Sequence, residues 1–487
     1  MARLDRRWTL AISALLVLAI TPSRASAREA GPPNIIVVLA DDLGQGDVGS
    51  YNPHSAIPTP YLDRIAREGM RFVDMHSPSS VCTPTRYGLL TGRYAWRTRL
   101  KRGVLFGYDP NLIEPGRLTL PALLKRAGYS TAAIGKWHLG LGAGPRTDYA
   151  RPLRPGPLDM GFDSFFGVPA SLDMTPYVYI EGDRVERAAS TETPGSDAPR
   201  GVFFRAGAMA PGFEMAQVLP RLSDRAASYV RAQKGAKRPY FLYLALPSPH
   251  MPWVPLPEFR GRSRAGLYGD FVSQTDAAIG RLVQAIEETG QKNRTLLIVT
   301  SDNGADWSIE DRQLYAHQAN LAWRGRKADI HEAGHRVPFL VRWPGVVRAG
   351  TVSAEMGSLV DLMATVAGIV AQPLPNDAAE DSFDLLPAWK QRNRRPIRSD
   401  MVMHSLTGMF AIREERWKLA LGLGSGGFTL PVKADPAADG PKGQLFDLRS
   451  DPMELRNLYD ARPDLVRRLS ALLERQQAAG RSRPLTR

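Results

Sequence analysis

At four places along the chain, a short apolar run ends in residues able to do chemistry. Asn34–Ala40 is followed by Asp41 and Asp42, Thr131–Gly135 by Lys136 and His138, Tyr240–Leu246 by His250 after a Pro-rich turn, and Thr295–Thr300 by Asp302 and Asn303. Each run is β-branched or apolar and bounded by turn residues, which predicts a buried strand. A fifth segment, Cys82-Thr83-Pro84-Thr85-Arg86, puts Pro84 in the first turn of a helix that contains Leu89 and Leu90 and ends at Gly92. Cys82 is then at a helix N-terminus, where free N–H groups and the helix dipole favour an anion. Arg86, four residues on, adds a fixed positive charge to the same face.

The strands alternate with amphipathic helices. Pro60–Glu68 opens with Thr59 as N-cap, Leu120–Ala127 stops at Gly128, and Phe271–Thr289 ends at Gly290. Such alternation predicts an α/β sandwich with a largely parallel sheet, whose ligands sit beyond the carboxyl ends of the strands. The polar residues named above fall at those ends. Gly140–Pro157 and Pro431–Gly443 read as loops and Asp183–Arg200 as a polar insertion. After a boundary near Gln372–Asp381, Met409–Arg413, Trp417–Leu421 and Gln444–Leu448 predict a small antiparallel sheet, with a helix around Asp464–Gln477 packed on it.

The 487 residues, 43% hydrophobic, suffice for one large domain and a smaller one. Beyond the N-terminus no apolar run approaches the roughly 18 to 20 residues of a membrane span, so no stable membrane insertion is expected. Arg3, Arg6 and Arg7 precede the apolar stretch Leu10–Ile20 and the small residues Ala25-Ser26-Ala27. That is the layout of a secretory signal peptide cut near Ala27, with an uncleaved anchor helix as the alternative. The expected organisation is a signal peptide over 1–27, an α/β domain over 28–375 and an α+β subdomain over 376–487, in a protein exported to a periplasm or secreted. The single Cys cannot form an internal disulfide, so it is either a small buried apolar residue or one whose chemistry is used. A formal net charge of +14 suggests an anionic partner. With no zinc-finger, helix-turn-helix or RNA-binding signature, nucleic acid is disfavoured.

The segment at Cys82 resembles the CxPxR signature of the type I sulfatases, in which a formylglycine-generating enzyme oxidises the cysteine to formylglycine (3-oxoalanine). The match continues through Tyr87-Gly88-Leu89-Leu90-Thr91-Gly92-Arg93. Asn34–Gly44, Gly135–Gly140, Thr300–Gly304 and Arg336–Pro338 resemble further family blocks, in the family's order, over nearly the whole mature chain. The resemblance implies an alkaline-phosphatase-like sandwich and hydrolysis of a sulfate ester. It also implies one Ca2+ held by Asp41, Asp42, residue 82, Asp302 and Asn303, an oxygen-only set that suits a hard cation better than zinc. Phosphate-cleaving relatives commonly place His where Asn303 stands.

By the same resemblance, one hydroxyl of hydrated formylglycine attacks sulfur and the second collapses to expel sulfate. Asp302 is the expected base for the attacking hydroxyl, Lys136 and Lys327 hold the sulfate oxygens, and Arg86 positions residue 82. His250 assists departure of the alcohol and His138 takes the proton in the collapse. Lys327 lies in Arg324-Gly325-Arg326-Lys327, which departs from the family's Gly-Lys pattern, although its spacing to Glu332 and Arg336 agrees. Ala333 stands where the family has Gly. Ser171, through Val168-Pro169-Ala170-Ser171, aligns with a sulfate-contacting residue. His404, expected to begin the C-terminal sheet, is a candidate sugar contact, and Trp96, Arg97 and Arg99 are candidates for the same mouth. His54, His76, His317, His331 and His335 read as packed or solvent-facing.

The stretch from Tyr87 to Gly103 looks most like sulfatases acting on 6-sulfated galactose or N-acetylgalactosamine, with aryl sulfates as surrogate substrates. Two rivals stay open: a phosphomonoesterase or phosphodiesterase on the same fold, and a non-catalytic binder of sulfated glycan.

Overall fold

The computed structural model describes residues 31–393 and 395–485, so the signal-type segment lies outside the described residues. The main sheet is built from β1 (Asn34–Asp41), β2 (Met70–Phe72), β3 (Ser130–Lys136), β4 (Ser164–Val168), β5 (Tyr240–Pro249), β6 (Thr295–Ser301), β7 (Phe339–Arg342) and β8 (Thr351–Ser353). Their order is β8-β2-β7-β6-β1-β5-β3-β4, extended at the β4 edge by Ile180–Glu181 and Arg184–Val185. The five strands from β6 to β4 are parallel, in the register Ile298–Val37–Tyr243–Ala133–Phe165. β7 runs antiparallel to both β6 and β2.

All eight residues of β1 are buried, as expected of a parallel strand covered on both faces. The helices α1 (Pro60–Glu68), α4 (Met215–Ala232) and α5 (Gly266–Glu288) pack together as one layer. A second group consists of α2 (Cys82–Thr91), α3 (Leu120–Arg126) and Leu362–Ile369. Gly135, with φ +118°, is needed where β3 meets β5, because a Cβ there would lie 1.9 Å from the Ala245 carbonyl oxygen. Only glycine lets β3 lie this close and deliver the next residue, Lys136, to the sheet edge.

The four predicted strands form, each one to three residues longer than the hydrophobic pattern indicated. Thr59 does not cap α1 through its side chain; its hydroxyl accepts instead from the Gly49 N–H at 2.9 Å. The first-turn N–H groups of Tyr61 and Leu62 donate to Asp276 of α5 at 3.2 and 2.8 Å, so the cap comes from a distant helix.

The C-terminal sheet has four antiparallel strands, Asp400–His404, Phe410–Glu414, Trp417–Ala420 and Gln444–Asp447. Leu465, Leu469 and Leu473 of Pro463–Ala478 share a core with these strands and with Tyr94, Trp96 and Val360. Trp96 and Arg97 therefore serve this junction and not the mouth of the site: Arg97 pairs with Asp381 at 2.8 Å and its guanidinium lies 4.1 Å from the Trp96 ring. Arg99 is exposed and donates to the Pro110 carbonyl.

The same junction carries a buried polar network. Lys418 reaches Glu332 at 3.1 Å, Glu454 at 2.9 Å and the His335 Nε2 at 3.0 Å. Arg336 bonds Glu332 and Asp74, Arg413 also bonds Asp74, and His76 and His335 meet at 2.9 Å through their Nδ1 atoms. The ligand atoms of His76, Glu332 and His335 are close enough together to hold a metal, but Lys418 and Arg336 already supply positive charge there. His76, His317, His331 and His335 are buried, whereas His54 is exposed.

Burial pushes the Asp276 carboxyl up from 3.8 to about 7, against the N–H groups of Leu62 and Tyr61, which favour its charged form. A raised folded-state value means that Asp276 contributes stability fully below its unfolded pKa and loses that contribution as pH rises through about 7. Asp276→Asn keeps an acceptor oxygen and cannot ionise. Its melting temperature should therefore gain on wild type as pH is raised from 5 to 8; a difference independent of pH would overturn this.

Candidate active site

The carboxyl ends of β1, β3, β5 and β6 and the N-terminus of α2 deliver their polar residues to one buried spot. Cys82 is the first residue of α2 and is 2% exposed, with its Sγ 3.5 Å from Asp41 Oδ1. Arg86, fully buried one turn on, donates from Nε (3.2 Å) and a terminal nitrogen (2.8 Å) to Asp302 Oδ2. Its other terminal nitrogen donates to the Lys136 carbonyl at 3.1 Å. Lys136 Nζ bonds Asp41, and Lys327 Nζ bonds Asp42 at 2.8 Å. Three carboxylates thus face three cations, with Asn303 Nδ2 donating to Asp42 Oδ1 at 2.7 Å.

Asp42 (φ +67°) and His138 (φ +56°) are both in the left-handed region, which non-glycine residues occupy at a cost. The Asp42 turn is held from behind. Its N–H donates to Asp302 Oδ1, the Leu43 N–H to Ser301, and the Gly44 N–H to Asp47, which also accepts from Tyr268 at 2.5 Å and meets His317 Nε2 at 2.9 Å. Asp47, Tyr268 and His317 are positioning residues that motif reading passed over, because none lies at a strand end or in a recognisable spacing.

Electrostatics follow from burial. Burial opposes the charge on Asp41, yet Lys136, His250, Arg86 and Lys327 hold its carboxyl well below the usual range. Burial and the neighbouring Asp41 raise Asp302 to about 6. Burial would depress Lys327, but Asp42, Cys82 and Asp41 carry its ammonium well above its ordinary value. The Cys82 thiol is pushed well up, by burial first and then by Asp302 and Asp41.

His138 Nε2 lies 2.7 Å from the Leu105 carbonyl, which can only accept, so the proton is on Nε2 and Nδ1 keeps a free lone pair. That Nδ1 is buried without a partner. Burial, then Lys136 and Arg86, lower His138 well below its ordinary value, so the ring is neutral. His250 Nδ1 is 2.5 Å from the Met251 carbonyl, leaving Nε2 on the side of Asp42, 3.8 Å away.

Ser171 is buried with an unpartnered hydroxyl, three residues past the end of β4; the carbonyl of nearby Pro169 accepts from the His138 N–H. His404 ends the first strand of the C-terminal sheet instead of beginning the sheet, because Asp400–His404 is itself a strand. Its ring is buried, with Nδ1 bonded to Ser405 and Nε2 unpartnered, and its carbonyl accepts from the N–H of Ser80, two residues before Cys82. Ala333 is accommodated in the short helix Glu332–His335.

The ligand atoms of Asp41, Asp42, Cys82 and His250 lie within 4.8 Å of one another and could hold a metal ion, with His250 in this group where Asp302 is expected. Asn303 Oδ1, a neutral acceptor that suits such an ion, is buried without a partner.

Residues 33–371 match the family model described as Sulfatase, and residues 323–479 that described as N-sulphoglucosamine sulphohydrolase, C-terminal. An N-acetylgalactosamine-6-O-sulfatase of Bacteroides thetaiotaomicron is 33% identical, the alignment covering 91% of this chain and 92% of that protein. Human arylsulfatase A is also 33% identical, over 94% of this chain and 88% of its own. A solved Bacteroides thetaiotaomicron 6S-sulf structure, from work on the metabolism of multiple glycosaminoglycans, superposes with TM-score 0.80 at 31% identity, covering 92% of this chain and 99% of its own. A phosphonate monoester hydrolase from Silicibacter pomeroyi shares the fold at TM-score 0.62 and 20% identity, so fold alone does not choose the ester.

Replacing Arg86 by Met strips Asp302 of its partner in a dry site, which should destabilise the protein by about 3–5 kcal/mol. Arg86→Lys should recover only part of that, since a single ammonium nitrogen cannot occupy the three nitrogen positions from which the guanidinium reaches Asp302 and the Lys136 carbonyl. Urea unfolding at pH 7.5 checks both; an Arg86→Met variant as stable as wild type would show that the pairing contributes nothing.

Proposed function

This chain belongs to the sulfatase family and is a sulfuric ester hydrolase, and on that premise we propose that it releases inorganic sulfate from a sulfated carbohydrate of the 6-O-sulfated galactose or N-acetylgalactosamine type. The observation that carries this reading is Cys82 at the first position of α2, beside Asp41 and among Arg86, Lys136 and Lys327. A thiol held protonated by burial and two carboxylates is a poor nucleophile. By the resemblance of Cys82-Thr83-Pro84-Thr85-Arg86 to the family signature, position 82 is converted before it attacks sulfur. As formylglycine, made by a formylglycine-generating enzyme, it supplies a hydrated aldehyde with one hydroxyl to attack and one to collapse. Asp41, Asp42, residue 82, Asp302 and Asn303 would hold a calcium ion, which would supply positive charge for the sulfate oxygens.

The chain's own residues divide the remaining work. Arg86 fixes Asp302 and the first turn of α2, so that residue 82 and its base are set against each other. Asp302 takes the proton of the attacking hydroxyl. Lys136 and Lys327 turn from Asp41 and Asp42 to the sulfate oxygens, where negative charge builds up. His250, its Nδ1 proton engaged by the Met251 carbonyl, must carry a second proton on Nε2 to pass it to the departing alcohol. Neutral His138 accepts, at Nδ1, the proton released when the second hydroxyl collapses. Ser171 and His404 contribute the free polar atoms Oγ and Nε2 to substrate contacts.

A phosphoesterase reading is disfavoured by Asn303, whose neutral oxygen replaces the imidazole a transition metal would prefer. The N-terminal segment supports export to a periplasm or the exterior. Among the described residues no helix is long and apolar enough to cross a membrane.

Mass spectrometry of the Cys82 peptide from the exported protein should show a loss of about 18 Da relative to the thiol. The same protein should release sulfate from 6-sulfated sugars. An intact thiol with tight sulfated-ligand binding and no product would favour a binding role instead. Calcium at 100 times its dissociation constant should stabilise the folded chain by about 2.7 kcal/mol. Asn303→Leu should lose most of that gain; a melting temperature indifferent to calcium in both proteins would remove the metal from the scheme.

A further inference from the structure

The loop that carries Lys327 has a second face. Its backbone is pinned to the catalytic edge, with the Lys327 N–H donating to the Ala305 carbonyl at 3.0 Å. The residues just before it, Ala322 to Arg326, form one side of an open cleft of about 560 Å3. Arg312, Arg324, Trp323, Phe428, Leu430 and Leu455 line it. This volume lies within the range of small-ligand sites, and the cleft is separate from the spot where the carboxylates and cations meet.

Two features mark the cleft as built for an anion with apolar faces. The first is uncompensated charge. Arg326 is paired with Asp306 at 3.0 Å, but among the described residues neither Arg312 nor Arg324 forms an ion pair. Arg312 is half-buried; one terminal nitrogen reaches the Gly325 carbonyl at 3.4 Å and its Nε is buried with no partner. Burial lowers the Arg312 guanidinium with no carboxylate acting on it. Arg324 donates to the Glu454 backbone carbonyl at 2.6 Å. Glu310, exposed on the rim, is the one carboxylate among the lining residues, against the guanidinium groups of Arg312, Arg324 and Arg326.

The second feature is exposed apolar surface. Leu430 is 83% exposed, Leu455 71% and Phe428 39%, and all three line the cleft. Such patches on a soluble body mark recognition surfaces. Guanidinium groups match sulfate and carboxylate geometry, while the C–H faces of sugar rings pack on apolar and aromatic side chains. The occupant that satisfies both features, on a loop shared with the sulfate-holding lysine, is more of the same substrate.

We propose that this cleft binds the continuation of an anionic saccharide chain, with Arg312 and Arg324 holding a sulfate or carboxylate on a further sugar unit of the chain whose sulfate is released. The enzyme then prefers chains over single sugars. This rests on the sulfated-carbohydrate reading above.

The test compares two probes with the matured enzyme: 6-sulfated N-acetylgalactosamine, and a tetrasaccharide in which that sugar alternates with uronic acid. Wild type and the double variant Arg312→Met, Arg324→Met are assayed on both. The tetrasaccharide is also titrated calorimetrically into Cys82→Ala protein with and without the cleft substitutions, so that binding is read without turnover. The double variant should lose at least tenfold in kcat/KM on the tetrasaccharide and stay within twofold on the monosaccharide, with a parallel loss of binding. Arg312→Lys with Arg324→Lys should recover part of both. Equal losses on the two probes, or undiminished tetrasaccharide turnover and binding, overturn the cleft. If the wild type desulfates no sugar, the carbohydrate reading fails, and the calorimetry alone decides whether the cleft binds anionic chains.

Discussion

Three carboxylates and three cations buried in one dry spot are the condition on which the rest of this structure depends. Asp41, Asp42 and Asp302 have almost no solvent to share, nor have Arg86, Lys136 and Lys327. Removing any one of these charges from water costs several kcal/mol, which only close, hydrogen-bonded partners offset. The partners must therefore arrive together from strands far apart in sequence, and the parallel sheet is what brings them. Gly135 lets β3 approach β5 closely enough to present Lys136, and the left-handed turn at Asp42 aims its carboxylate at Lys327 and Asn303. The balanced set also suits the proposed chemistry. A bound dication and a departing sulfate dianion add equal and opposite charge, so the site returns to neutrality when both are present.

The sequence was most legible where one physical signal dominated. β1, β3, β5 and β6 are buried on both faces, so each reads as an uninterrupted apolar run that ends where charge begins. The strand β4 was missed, because Ser164-Phe165-Phe166-Gly167-Val168 is short and carries a glycine. The strand Asp400–His404 was missed as well, since it opens on a charged residue and follows a basic loop. Helix α4 contains Pro220 in its first turns, which hides its period. The cap of α1 was assigned to Thr59 by local rule, and tertiary structure supplied Asp276 from some two hundred residues away. Nearness to Cys82 in sequence points Trp96 and Arg97 toward the mouth, yet they pack at the C-terminal junction, where they stack on each other and Arg97 meets Asp381.

That junction is as much a part of the site as the main sheet. Lys418 of the C-terminal sheet bonds Glu332, five residues past Lys327, and Arg413 bonds Asp74. The two family models overlap over residues 323–371, the stretch that holds both Lys327 and Glu332. Buried pairs such as Lys418–Glu332 tie the small sheet to this stretch.

One backbone contact gives this interlock a direction in time. The Ser80 N–H, just ahead of Cys82, is bonded to the carbonyl of His404, and Leu406 N–H to Ala328, which in turn donates to Ser80. Ser80 and His404 are 324 positions apart. During synthesis the segment around Cys82 therefore waits for most of the chain to be made before it can take its final seat. The backbone just ahead of residue 82 reaches its final hydrogen bonding only after residue 404 has been made.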